Sequence, residues 1–89
     1  MRPTLYNVHT ADDQDSFGQS ADYETALRTA RAAARDRAGD TILVTYKGFP
    51  VRELSLTPDG WFAEEELTTP EEVDRTLLAL APPAVGKQP

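Results

Sequence analysis

"DYETALRTARAAARDRAGDTILVTYKGFPVREL", Asp22 to Leu54, contains one change of hydrophobic period, and that change decides the fold. Over its first half, Tyr23, Ala26, Leu27, Ala30, Ala33, Ala34 and Ala38 recur three and four residues apart, while Arg28, Arg31 and Arg35 line another side. This spacing predicts an amphipathic helix over Tyr23–Ala38. Asp22 is placed to cap it, Glu24 sits in the first turn where the helix dipole favours an acid, and Gly39 suits a left-handed end. The apolar side is mostly alanine, so the helix can lie close on a sheet although each side chain buries little area. Then "TILVTY", Thr41 to Tyr46, alternates with β-branched residues and predicts a strand.

Working outward, Lys47-Gly48 reads as a tight hairpin turn into a strand over Phe49–Thr57, although lysine is not the usual partner of glycine there. Pro50 has no amide proton, so that position belongs at an edge or goes unpaired. "TPDG", Thr57 to Gly60, is a second turn, and Trp61–Leu67 runs back from it. Upstream, "LYNVH", Leu5 to His9, alternates as a first strand, with a weaker strand signal at Phe17–Ser20. Downstream, Thr69-Pro70-Glu71-Glu72 is a capping box with proline at the first helical position. Val73, Leu77, Leu80 and Ala81 form the apolar stripe of that second helix, with Leu78 close by, until Pro82-Pro83 stops it.

The order is β(β)αβββα: an α+β domain with an antiparallel sheet of four or five strands and two helices. One domain spans residues 1–81, and residues 82–89 read as a loose tail. Alternation places Ile42, Val44 and Tyr46 on one face and Leu43 on the other. On the last strand it separates Trp61, Ala63 and Leu67 from Phe62, Glu64 and Glu66, with Trp61 expected in the core. Apolar residues on both faces leave three places for the second helix: beside the first, across the sheet, or against another subunit.

"SADYETALRTARAAARDRAGDTILVTYKGFPVREL", Ser20 to Leu54, resembles the helix–strand–turn–strand core of small uncharacterised bacterial ββαββ domains. The resemblance covers about residues 4 to 56 and implies a fold without implying an activity. The segment Thr57–Ala81 is an addition to that pattern.

The charge is unevenly spread. The net charge is −6, yet Arg28 to Arg52 holds six basic residues against Asp36 and Asp40, while Glu53 to Asp74 holds eight acids and no base. An acidic third of this kind disfavours direct nucleic-acid binding. With no cysteine, thiol nucleophiles and cysteine metal sites are excluded. "MRPTLYNVHT" reads as neither signal peptide nor membrane span, so a soluble, cytoplasmic protein is expected.

Little catalytic chemistry is legible. His9 is the single histidine and has no nucleophile motif beside it. Asp13, Asp15, Gly18 and Glu24 fall at calcium-loop spacing, but Phe17 occupies a ligand position and a strand precedes the loop. No cofactor, metal or catalytic set is assigned. Arg28, Arg31 and Arg35 form a secondary basic stripe. The residues singled out for partner binding are Asp59, Phe62, Glu64, Glu65 and Glu66, because the capping box and dipole already explain Glu71 and Glu72. The leading expectation is a non-enzymatic module that binds another protein, with self-association as one form of it. The rival is an inhibitor of the phage or mobile-element type whose acidic third mimics nucleic acid against a nucleic-acid-binding enzyme.

Overall fold

A computed structural model describes residues 5–80; the tail expected over residues 82–89, and Ala81 of the second helix's stripe, lie outside the described residues. The elements are β1 (Tyr6–Thr10), β2 (Ser16–Ser20), α1 (Tyr23–Asp36), β3 (Thr41–Tyr46), β4 (Phe49–Leu56), β5 (Phe62–Glu66) and α2 (Pro70–Leu80). All five strands join one antiparallel sheet in the order β2-β1-β3-β4-β5. This is the expected α+β fold with five strands.

Helix α1 starts where Asp22 accepts from the Thr25 amide at 3.0 Å, and it packs over β1 to β4. Ala26, Ala30, Ala33 and Ala34 are buried against Val8, Ile42, Val44 and Leu54. Four alanines bring the helix backbone close to the sheet, so the branched residues of β1, β3 and β4 supply most of the buried volume. Gly39, with φ +98°, occupies the left-handed region that the chain needs on leaving the helix.

The β3–β4 hairpin turns through Lys47 (φ 51°) and Gly48 (φ 88°), the two positive angles that match the twist of the flanking strands. The ladder then slips between Val44 and Thr45: Pro50 pairs with Thr45, Arg52 with Val44, and Val51 is the extra residue. This β-bulge lies beside the proline that cannot donate to the ladder. Val51 joins the core with Leu54, so two residues three apart are buried together despite the two-residue strand period.

Helix α2 begins as the capping box predicts, with the Glu72 amide donating to the Thr69 hydroxyl at 3.1 Å. The reciprocal half is absent: the Glu72 carboxylate takes Arg75 at 2.8 Å instead. Val73 is buried in the common core and Leu77 is half-buried against it, while Leu78 and Leu80 are exposed. Asp74 fastens the helix to the hairpin, accepting from the Tyr46 hydroxyl at 2.9 Å and Lys47 Nζ at 2.8 Å. Tyr46 lies on the α1 side, its ring tilted against Tyr6, which stacks in turn on Tyr23. The second helix therefore shares the first helix's side of the sheet. Among the described residues no helix covers the opposite face.

Candidate functional site

The site forms on β5, the last strand of the sheet. Its register places Glu64 opposite Leu54, Glu66 opposite Arg52 and Phe62 opposite Leu56. Leu54 is a core residue, so Phe62, Glu64 and Glu66 face α1, and Trp61, Ala63, Glu65 and Leu67 are left for the open face. The expectation that Trp61 fills the core is thereby corrected: it is 74 % exposed at the entrance to the strand. Alternation separated the two sets of residues, but long-range pairing decided which set meets the helix.

The acids and arginines named separately from the sequence meet on the helix side. Arg31 donates from Nε and Nη2 to the two oxygens of Glu64, each at 3.0 Å. Arg52 adds a third bond to Glu64 at 2.9 Å, lies 3.8 Å from Glu66 and donates to the Tyr23 hydroxyl at 3.2 Å. The hydrogen bond from Arg31, and then the positive charges of both arginines, hold the Glu64 carboxyl below the usual glutamate range. Arg35 stacks over Phe62, its guanidinium carbon 6.0 Å from the ring centre. The stripe thus fastens the outermost strand to the helix. Arg28, its remaining member, is exposed.

The acidic third therefore divides. Glu64, Glu66, Glu72 and Asp74 each have a basic partner, in Arg31 and Arg52, Arg52, Arg75 and Lys47 respectively. Asp59 accepts from the Thr57 hydroxyl within the turn before β5. Glu65 is exposed and stands directly across from Glu53, with neither in an ion pair among the described residues. Like charges at directly opposed positions destabilise a ladder by roughly 0.2–1 kcal/mol. Sequence reasoning missed Glu53, although its place beside core Leu54 signalled the open face.

Strand β5 also has a free edge. Trp61 accepts from the Thr57 amide at 2.8 Å, and the Leu67 amide donates to Val51 at 2.9 Å, so both turn their backbone groups toward β4. Antiparallel alternation turns Ala63 and Glu65 the same way and leaves the amides and carbonyls of Phe62, Glu64 and Glu66 pointing outward. No further strand pairs with them among the described residues. The edge is flanked by exposed apolar surface from Trp61 and Leu67, the latter 42 % exposed.

The other candidates are local. His9 Nδ1 lies 2.8 Å from the Thr10 carbonyl and 3.5 Å from an Asp13 oxygen. The residues at calcium-loop spacing are dispersed: Asp15 takes Arg37, Gly18 lies in β2, and Glu24 is on α1. Among the described residues no group of three or more His, Asp or Glu side chains is arranged to hold a metal. A polar recess between Thr10, Asp12, Asp15, Arg37 and Asp40 is crossed by Arg37, which pairs with Asp15 and Asp40. No described helix is long and apolar enough to cross a membrane. Comparison with known protein families, characterised proteins and solved structures finds no match.

Proposed function

We propose that this chain is a protein-binding module that engages its partner along the outer edge of β5, with Trp61 as the anchor. The observation that carries this reading is Trp61 itself, 74 % exposed beside an unpaired edge strand. Tryptophan is the side chain most enriched among residues that dominate interface energies, because it buries a large area at small entropic cost. An open edge supplies backbone donors and acceptors for an added strand, and an exposed edge of this kind is otherwise a liability for aggregation. The ion pairs from Arg31 and Arg52 to Glu64 support the reading further, since they hold the edge strand in place for docking. They weigh against the nucleic-acid mimic, because they neutralise acids that such a mimic would present.

A photo-crosslinking phenylalanine analogue at position 61, which keeps an aromatic ring in the anchor's place, is introduced in the native host and tests the proposal. It should capture a specific protein, while the same group in place of exposed Arg28 should not. Equal capture from both positions, or none from position 61, contradicts it.

A further inference from the structure

We infer that the occupant of the β5 edge is an extended, basic peptide segment. This rests on the reading of β5 as a docking edge and names the chemistry of what docks there. Three observations select that chemistry. First, Glu53 and Glu65 face each other on the open side with no basic partner among the described residues, so a cation brought beside Glu65 relieves a repulsion already in the fold. Second, a strand added antiparallel to β5 bonds through Phe62, Glu64 and Glu66. Its residue opposite Glu65 then falls at a non-hydrogen-bonded position, where facing side chains come closest. A lysine or arginine there meets Glu65 directly, and its neighbours on the same face meet Ala63 and the open ring of Trp61, a further attraction for a cation.

Third, the opposite face disfavours a cation. Glu64 is already occupied by Arg31 and Arg52, and Arg35 covers Phe62. A one-residue slip would carry the segment's cations to the side where these three arginines stand, so the charges specify the face on which the cations lie. The same charges oppose a second copy of this chain as the occupant. Two antiparallel β5 strands in full overlap would set Glu64 against Glu64 and bring the two Glu65 side chains within diagonal reach, and neither copy offers a base on the open face of that strand.

The 89-residue chain is titrated with three seven-residue peptides, alternating Thr-Lys, Thr-Gln and Thr-Glu, while amide hydrogen exchange and Trp61 fluorescence are followed. The Thr-Lys peptide should slow exchange at Phe62, Glu64 and Glu66 at least tenfold and bind at least tenfold more tightly than Thr-Gln. Glu65→Lys should remove that preference, and raised salt should weaken it. Equal protection by Thr-Gln and Thr-Lys overturns the basic class while leaving β5 as a docking edge. Protection by none of the three overturns both readings. Protection of the same amides without peptide, together with a dimeric mass by light scattering, assigns the edge to a second copy and overturns the inference.

Discussion

Glu64 stands directly across the ladder from Leu54, the one a carboxylate and the other a fully buried core side chain. The carboxylate is tolerated because Arg31 and Arg52 meet it from the helix and the neighbouring strand, and that pairing ties the edge strand to α1.

Glu64→Gln should cost about 1–2 kcal/mol at neutral pH, a range set by hydrogen bonds to charged groups and reduced by the partial exposure of Arg31. The pH dependence follows from the lowered pKa of Glu64. Its contribution is fully present above the unfolded glutamate value of about 4.3 and is lost as pH falls through the lower folded value. Urea unfolding of the parent and Glu64→Gln should therefore differ at pH 7 and converge in strong acid. A gap unchanged down to the acid limit would mean that the arginines do not favour the ionised carboxylate.

Ala30→Leu should destabilise the fold by roughly 1–3 kcal/mol, because the extra side chain enters the close contact between α1 and the sheet. Ala30 is fully buried against that sheet. Thermal unfolding checks this; a Tm unchanged or raised would show that the helix does not lie as close as its alanines allow.

Trp61→Ala should change stability by less than about 0.5 kcal/mol, as expected of a surface substitution away from packed contacts. Leu54→Ala should cost roughly 2–5 kcal/mol. Denaturant midpoints measured in parallel separate the two, and a large loss from Trp61→Ala would return this residue to the core.

Much of the fold is legible from local patterns. Helix α1 ends two residues before the expected Ala38, β3 matches its expected span, and Lys47-Gly48 makes the expected turn. The amide half of the capping box forms at Thr69. The orientation of β5 is not legible, since alternation yields two faces without saying which one meets the helix. That choice depends on the pairing of β5 with β4 and on the bulge at Val51, both set by contacts distant in sequence. Choosing the more apolar set as the buried one fails because Arg31 and Arg52 compensate the charge of Glu64. For the candidate site, the sequence points to the strand after the Thr57–Gly60 turn, while Trp61 and Glu53 join it only through that pairing.

Asp74→Ala should loosen α2 selectively. Hydrogen bonds from Lys47 and then Tyr46 hold the Asp74 carboxyl below the usual aspartate range, and these bonds join the helix to the hairpin. Amide exchange in α2 should accelerate severalfold while β1, β3 and β4 keep their protection. Uniform acceleration across the sheet would show that α2 and the sheet unfold as one unit.

Glu66→Pro tests the central claim most directly. The Glu66 amide points away from β4, so proline removes no ladder bond and is tolerated at such an edge position, yet it deletes a docking donor and places a ring in the path of an added strand. The measurement is the yield of partner captured by a photo-crosslinking group at position 61, with and without Glu66→Pro, in chains of matching Tm. Docking along β5 predicts at least a tenfold fall in capture. Undiminished capture from the proline variant would contradict it.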